Sequence, residues 1–324
     1  MMENATELIN YASKAPSSHN SQPWIFKVKE HSIEIHPDKN GALPIVDPDN
    51  RELYISLGCA TENICLVSPY FNYNTELEII TTSNDYTFIK IRFKETSKNN
   101  NTTILNLINN RQSNRSIYTG KHISDTSIKT LESILTSLNI NTYYFKNGTP
   151  EFKMITDYIL KGNTIQMRDS KFKAELLSWI RFNNYEIKNT QNGLTYKVMG
   201  APQTPRFIGK MVVKSFLTPS KQNKNDIEKI NSSSHYILFT TKHNTVTEWI
   251  KLGRHLQHIL LKLTELDIAC AYMNPPCEIH SLSEELKNSI PIIKQEYPTL
   301  ILRIGYANKV PYSPRKSINK IIVN

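Results

Sequence analysis

The order of apolar and polar side chains predicts an irregular mixture of helices and strands. Helices carry apolar residues every three or four positions, whereas half-buried strands alternate between apolar and polar residues. In the first hundred residues this distinction predicts helices at residues 8–12 and 52–69 and strands at residues 24–28, 32–36 and 86–93. Further along it predicts helices at residues 104–110, 125–138, 152–181 and 247–266 and strands at residues 234–241 and 299–304. No regular βαβ repeat emerges, so the pattern is typical of an α+β fold.

Residues 185–218 are the least regular part of the chain. Glycine and proline recur there, which favours a long loop or broken helices. Loops of this length in compact proteins often cover a ligand, so we interpret this segment as a candidate lid.

The length of the chain bears on its division into domains. At 324 residues it is long enough for about two domains or for one unusually large domain. A polar run at residues 96–103 is the best boundary, which predicts one half at residues 1–103 and a second at residues 104–324.

The formal net charge of +10 raises the question of an acidic partner. The Lys and Arg residues are spread along the chain, and the cluster at residues 221–229 is interleaved with Asn and Asp as in an exposed loop. We therefore expect no nucleic-acid partner. No apolar run approaches the roughly 20 residues that a spanning helix requires, and the N-terminus lacks a signal-peptide pattern. The sequence accordingly predicts a cytoplasmic protein with no membrane partner.

Several common kinds of site are excluded by their missing motifs. The chain contains no GxGxxG, no Walker sequence, no HExxH and no GxSxG. The four cysteines form no CxxC pair and have no histidine at zinc spacing, so we expect reduced, mostly buried thiols and no metal site.

Residues 15–24, hereafter the motif loop, join a predicted helix to a predicted strand and concentrate short polar side chains. Pro16 fixes the backbone, while Ser17, Ser18, Asn20 and Gln22 offer hydroxyl and amide groups that can bind a flat, heteroatom-rich ligand. The same composition also suits an ordinary capped surface turn. His19 lies within the loop but has no acidic neighbour in sequence. We therefore expect it to form hydrogen bonds rather than to act as a base.

A second polar element, the arginine segment at residues 111–115, has two guanidinium groups four positions apart. Arg111 and Arg115, with Ser113 between them, suit the recognition of phosphate or carbonyl oxygens because arginine stays charged and pairs bidentately with oxyanions. An exposed basic turn is the alternative interpretation of so short a motif.

The APSxxNxQPW pattern of the motif loop resembles the nitroreductase superfamily of flavoproteins. More narrowly, residues 47–53 (DPDNREL) and 55–60 (ISLGCA) resemble the Acg-type branch, whose members fuse two nitroreductase-like halves in one chain. The resemblance covers nearly the whole chain. It implies an α+β nitroreductase-like fold with two pseudo-symmetric halves, each a mostly antiparallel sheet flanked by helices.

The resemblance also implies a bound flavin mononucleotide (FMN). In the family, the first arginine of the RxSxR element lies near the phosphate and the later cation lies near the carbonyl edge of the isoalloxazine. Basic residues of the C-terminal segment, residues 311–316, reach the phosphate, and the turn at residues 271–278 lies along one flavin face. The implied FMN-binding residues are Pro16, Ser17, Ser18, Asn20, Gln22, Arg111, Ser113, Arg115, Met273, Asn274, Arg315 and Lys316. Met273 could equally fill the core.

The implied function is NAD(P)H-dependent reduction of a small aromatic or nitro acceptor by ping-pong hydride transfer, with no side chain assigned as an acid or base. An alternative is a flavin-sequestering protein in which residues 185–218 cover the FMN and turnover is low. A third alternative, a scaffold whose site has decayed, is disfavoured by the intact Asn20, Arg111, Ser113 and Arg115. The resemblance implies a monomer with dimer-like internal symmetry, or a loose homodimer.

Overall fold

Helices and strands alternate irregularly in the computed structural model, which describes residues 3–97 and 102–323. The helices are α1 (Ala5–Ala12), α2 (Arg51–Val67), α3 (Thr103–Asn110), α4 (Asp125–Glu132), α5 (Pro150–Arg168), α6 (Ser170–Ser178), α7 (Asn184–Thr190), α8 (Arg206–Phe216), α9 (Pro219–Asn231), α10 (Val246–Glu265), α11 (Pro275–Glu278) and α12 (His280–Ser289). The strands are β1 (Trp24–Val28), β2 (Ser32–Pro37), β3 (Tyr73–Thr81), β4 (Thr87–Glu95), β5 (Ile140–Lys146), β6 (Ile180–Arg181), β7 (Leu194–Thr195), β8 (His235–Thr241), β9 (Ala269–Tyr272), β10 (Tyr297–Gly305) and β11 (Ile322–Val323). The predicted α+β class is confirmed.

Two mostly antiparallel sheets organise these elements. The first has the strand order β11-β1-β2-β4-β3, and the second has the order β5-β8-β10-β9. Every pairing in them is antiparallel except that between β11 and β1, where Phe26 lies opposite Ile322. The C-terminal strand thus returns to the first sheet. The proposed division near residue 103 therefore leaves one element of the second half in the sheet of the first, and residues 98–101 of that boundary lie outside the described residues.

Helices α2 and α10 pack against each other within one apolar core that includes side chains from both sheets. Gly58 of α2 faces Gly253 of α10 at their crossing. A Cβ atom on Gly58 would lie 2.2 Å from the carbonyl oxygen of Ile250, and one on Gly253 would lie 2.1 Å from that of Ile55. Both distances are far below van der Waals contact, so only glycine at these positions permits so close an approach.

Polar side chains complete the contact between the two helices. The buried carboxylate of Glu62 on α2 pairs with Arg254 and, at 2.8 Å, with His258 of α10. Directly beside these ion pairs, the Gln257 amide donates to Asn63 Oδ1 at 2.7 Å. Because buried polar groups cost free energy unless they are paired, these contacts favour a single register of α2 on α10.

Three sequence-based predictions differ from the structure. The helix predicted at residues 125–138 ends at Glu132, because Leu135 and Leu138 are 92% and 82% exposed and have no apolar surface to cover. The helix predicted at residues 152–181 breaks at Asp169, whose side chain accepts the Lys171 N–H at 2.7 Å and begins α6. Residues 221–229, expected to be an exposed loop, belong to helix α9, since Asp226 and Ile230 are buried on one of its faces.

We predict that Gly58→Ala destabilises the protein by at least about 2 kcal/mol, because the added methyl group overpacks the α2–α10 crossing. The change should lower the midpoint of thermal or urea unfolding even though alanine favours helices over glycine. Gly120→Ala is the comparison variant, because a Cβ there meets no atom within 4 Å although φ is +76°. It should lose only the cost of a left-handed conformation, about 1 kcal/mol, and therefore less than Gly58→Ala. A Gly58→Ala protein as stable as the wild type would show that the two helices do not need this close approach.

Candidate functional site

Two adjoining cavities lie where the motif loop meets residues from the second half of the chain. The first has a volume of about 290 Å³ and the second about 230 Å³. Five residues line both cavities, namely Pro16, Ser17, Arg115, Leu194 and Tyr272. The shared wall makes the two cavities parts of one cleft of a size suited to a small organic ligand.

The motif loop owes its shape to three residues with positive φ, which are His19 (51°), Asn20 (54°) and Gln22 (54°). Asparagine tolerates this left-handed region better than most residues, but for histidine and glutamine it is unusual. The Ser17 hydroxyl accepts the Gln22 N–H at 3.0 Å and closes the turn. Unusual backbone conformations of this kind persist where the surrounding structure enforces them, and they cluster at ligand sites.

Most of the twelve predicted FMN-binding residues line the cleft. The first cavity is lined by Ser18, Met273 and Asn274, the second by Asn20, Arg111, Ser113 and Arg315, and both by Pro16, Ser17 and Arg115. Gln22 and Lys316 line neither. Instead, the Lys316 N–H donates to Gln22 Oε1 at 2.8 Å and its ammonium donates to Gln22 O at 3.0 Å, which holds the C-terminal segment against the motif loop.

The second cavity is strongly cationic. Lys14, Arg111, Arg115 and Arg315 line it, and none of the described residues in its wall is an Asp or Glu. Arg111 Nη2 donates to Lys14 O at 3.0 Å, but its buried Nε and Nη1 have no hydrogen-bond partner among the described residues. Burial, together with the charge of Arg111, lowers the pKa of Arg315 to about 9. A bound anion would pair these groups and relieve their mutual repulsion.

Arg115 stands at the junction of the two cavities. Its guanidinium forms no hydrogen bond or ion pair with any residue in 3–97 or 102–323. Burial lowers its pKa, although arginine remains charged near neutral pH. A half-buried cation without a protein partner among the described residues is costly, which indicates that Arg115 is placed for a ligand.

The first cavity contains a pair of buried carboxyl groups that the sequence analysis did not identify. Glu52 Oε1 accepts the Asn274 amide at 2.8 Å, and the other Glu52 oxygen accepts the Ser18 hydroxyl. Glu278 accepts the Gln166 amide at 2.5 Å. Burial and the neighbouring Glu52 raise the pKa of Glu278 well above its usual value, so folding favours the protonated form of Glu278. Glu52 belongs to the DPDNREL stretch and Glu278 ends the turn at residues 271–278, which were the available sequence signals.

The first cavity also contains a basic pair, which the sequence analysis missed as well. Lys229 and Arg303 line the cavity, and burial lowers the pKa of both. Arg303 lies 3.9 Å from the ring centre of Tyr118 and donates to Ser116 O at 2.7 Å. Asp226 lies 4.0 Å from the Lys229 ammonium. Acidic, basic and apolar side chains therefore all line the first cavity.

His19 lines the first cavity, and burial, followed by the charge of Arg115, lowers its pKa to about 4, so the ring is neutral at pH 7. Its Nε2 has no hydrogen-bond partner among the described residues. The expectation of a hydrogen-bonding histidine therefore stays a prediction, with Nε2 available to a ligand in the cleft.

Residues 170–217, hereafter the cover, pack over the cleft through an apolar cluster that includes Leu43 and Val46. Leu194 of the cover lines both cavities. Gly193 N–H donates to Asn20 O at 3.1 Å, and the Asn20 amide donates back to Gly193 O at 3.3 Å. The broken helices predicted at residues 185–218 are confirmed in α7 and α8, and these two hydrogen bonds fasten the cover to the motif loop.

Two further searches concern the residues that the structure describes. None of their helices is long and apolar enough to cross a membrane. No group of three or more His, Cys, Asp or Glu side chains among them could hold a metal ion, and Cys59, Cys65, Cys270 and Cys277 are free thiols.

Comparison with known proteins supports the family resemblance that the motifs indicate. No family model matches the chain. The chain is 19% identical over 327 residues to a Mycobacterium tuberculosis H37Rv protein provisionally named NAD(P)H nitroreductase Rv3131, an alignment that covers 99% of this chain and 91% of that protein. The strain CDC 1551 counterpart, MT3217, matches to the same extent. This full-length match confirms the resemblance to the nitroreductase superfamily, while assignment to the Acg-type branch stays a prediction.

Solved structures similar to this chain span about two thirds of it. A nitroreductase-like protein from Bacillus cereus is 15% identical and covers 69% of this chain and 96% of its own, with a TM-score of 0.41. The FMN-dependent nitroreductase NfnB from Mycobacterium smegmatis is 10% identical and covers 68% of this chain and 96% of its own, with a TM-score of 0.42.

We predict that Glu278→Gln removes part of the loss of stability that accompanies a rise in pH. A carboxyl group whose pKa is raised on folding binds its proton more tightly in the folded state, so stability falls as pH rises from the unfolded pKa toward the folded one. That slope approaches about 1.4 kcal/mol per pH unit for one group. As pH rises above the ordinary glutamate pKa of about 4.5, the unfolding free energy should therefore fall more for the wild type than for Glu278→Gln.

The comparison of the two proteins isolates Glu278 from other titrating groups. The pKa of Asp47 is raised to about 6, and the pKa values of His19, His235 and His255 are lowered to about 4, but these groups are present in both proteins and cancel in the difference. Glu95→Gln, at an exposed position, is the control and should retain the wild-type slope. Equal slopes for the wild type and Glu278→Gln would mean that folding does not raise the pKa of Glu278.

Proposed function

We propose that the chain binds FMN in the joined cavities and is an NAD(P)H-dependent flavin oxidoreductase of nitroreductase type. The observation that carries this proposal is the second cavity, which is cationic and has no carboxylate among the described residues of its wall. In this cavity, two buried nitrogen atoms of Arg111 have no hydrogen-bond partner among the described residues. At Arg115 the second cavity joins the first cavity, which is larger and less basic. A ligand with an anionic phosphate at one end and a flat polar ring at the other matches this distribution of charge. The names of the full-length relatives support the same class of reaction.

The second cavity would hold the phosphate. Arg111 and Arg315 supply planar donor groups, and Ser113 adds a hydroxyl. Lys14, which was not predicted as a ligand, adds a fourth cation to this wall, and burial lowers its pKa. Arg315 is itself held in place, since Nη1 donates to Asn20 Oδ1 at 2.5 Å and Nη2 to Lys14 O at 3.1 Å.

The first cavity would hold the flavin ring, between the motif loop and the turn that contains Met273 and Asn274. When bound, FMN supplies the capacity to accept and donate a hydride. Arg115 places positive charge at the junction of the cavities, where it favours negative charge on the carbonyl edge of the ring. Glu278 lies on the wall of this cavity, and its raised pKa favours a carboxyl group that holds a proton beside a bound acceptor.

We predict that the purified protein takes up FMN and that Arg115→Met weakens its binding at least about tenfold, because a charge-assisted contact is lost. The dissociation constant can be measured by quenching of flavin fluorescence. The folded structure should tolerate this change, since Arg115 has no protein partner in the described residues. Arg92→Met removes an arginine that is 53% exposed and paired with Glu78 on the first sheet, and it should bind FMN like the wild type. A wild type that does not take up FMN would defeat the proposal.

A second candidate function is sequestration of the flavin with little turnover. It is favoured by the two hydrogen bonds between Gly193 and Asn20, which hold the cover over the motif loop. This contact is sensitive to substitution of Gly193. The φ angle of Gly193 is +82°, and a Cβ atom there would lie 2.4 Å from the carbonyl oxygen of Trp179. A side chain there would displace the cover.

We predict that Gly193→Ala loosens the cover and accelerates both FMN release and bleaching of the flavin by anaerobic NAD(P)H, each by a factor of about ten. Gly148→Ala is the control, because that glycine also has a positive φ of 97° but a Cβ there meets nothing within 4 Å. Rapid wild-type bleaching, with reoxidation by a nitroaromatic compound, would rule out sequestration and support the oxidoreductase. Slow bleaching that Gly193→Ala relieves would favour sequestration.

A further inference from the structure

The positive charge of the chain is concentrated around helix α8. Residues 187–225 contain seven basic residues and no Asp or Glu. The seven are Lys188, Lys197, Arg206, Lys210, Lys214, Lys221 and Lys224. The overall excess of Lys and Arg is therefore concentrated in a segment that includes α8 and most of α9, in contrast to the even spread that the whole sequence suggested.

Helix α8 turns its most apolar side away from the protein. Gly209 and Leu217 are buried and Val213 packs beside them, so these residues form the inner seam. The exposed side carries five large apolar residues. Their exposed fractions are 71% for Phe207, 64% for Met211, 58% for Phe216, 48% for Val212 and 37% for Ile208. With about 100° between successive residues of a helix, these five occupy one continuous face.

Cations flank this apolar face. The ammonium group of Lys221, a residue of α9, lies 4.7 Å from the ring centre of Phe216 and donates to Ser215 O at 2.7 Å. Lys210 and Lys214 belong to α8 itself and form no ion pair with any residue in the described ranges. Arg206, at the start of the helix, is the exception, since it pairs with Glu186.

We propose that α8 docks this protein on an anionic lipid surface, with Phe207, Met211 and Phe216 entering the interface and Lys210, Lys214 and Lys221 facing the headgroups. An apolar face flanked by lysines is the arrangement by which amphipathic helices lie in the plane of a membrane interface. The contact is peripheral and needs no spanning helix. It revises the sequence-based expectation of no membrane partner, and it does not depend on the proposed flavin chemistry.

A second copy of the chain is a poorer occupant of this face. Two copies related by a two-fold axis through α8 would bring the same lysines together, because an isologous interface repeats each residue on both sides. Like charges would then oppose each other with no carboxylate from residues 187–225 to separate them. An anionic surface instead gains from every one of these cations.

Flotation of the full-length protein with vesicles tests the proposal. The protein should float with phosphatidylcholine vesicles that contain phosphatidylglycerol, and much less with phosphatidylcholine alone or in high salt. Replacing Phe207, Met211 and Phe216 together by serine should reduce the bound fraction at least about tenfold. Lys210→Glu combined with Lys214→Glu should have a similar effect. The matched control, Leu135→Ser with Leu138→Ser, changes two apolar residues that are 92% and 82% exposed elsewhere, and it should bind like the wild type.

A fluorescent reporter keeps the test independent of the stability of the triple variant. Phe207→Trp should show a blue shift of its emission when anionic vesicles are added, because the indole enters a less polar environment. A wild type that stays with the unbound fraction would overturn the proposal, as would a serine triple variant that floats equally well. A wild-type dimer that the triple variant converts to a monomer, without vesicle binding, would assign the face to a second copy and also overturn it.

Discussion

The contact between Gly58 and Gly253 is the constraint on which the rest of the structure depends. Each glycine lets the backbone of the opposite helix approach to a distance that any side chain would forbid. Helix α2 packs with the first sheet and α10 with the second, so their separation sets how the two sheets face each other. The same helices also reach the cleft, since Glu52 and Ser56 of α2 and Leu256 of α10 line the first cavity. A shift of this crossing would therefore change both the core and the site.

Charged side chains are unevenly distributed along the cleft, and this distribution costs free energy when no ligand is bound. Arg111, Arg115 and Arg315 lie together without a carboxylate in the described wall of the second cavity, while the pKa of Glu278 is raised by burial and by Glu52 in the first. Buried charges of one sign raise each other's energy unless a ligand of opposite sign is present. Such arrangements persist at binding sites because the ligand restores the lost interactions. The distribution of charge thus gives a physical reason for a ligand with one anionic and one neutral end.

The cover links this cleft to the exterior. Its inner side contributes Leu176 and Leu194 to the cavities, and its outer side carries the exposed apolar face of α8. Hydrogen bonds from Gly193 to Asn20 tie the inner side to the motif loop. One segment therefore lines the site and also presents an exposed apolar and basic surface at α8. The recurring glycine and proline of residues 185–218 indicated a candidate lid, but they did not indicate the outer surface.

By itself, the sequence determined most helices and strands, the α+β class, and the membership of the motif loop and the arginine segment in one cleft. These features depend on local periodicity, on turn chemistry and on short motifs that carry the family resemblance. Only the tertiary structure decided the end of α4, because a helix stops where its apolar side finds no partner, and it showed that Asp169 ends α5 by capping the next helix. It also decided the pairing of Glu52 with Glu278, and the second cluster of cations, Lys229 and Arg303, in the first cavity. Residues so distant in sequence meet only in the folded chain, and the burial that shifts their pKa values does not exist before then.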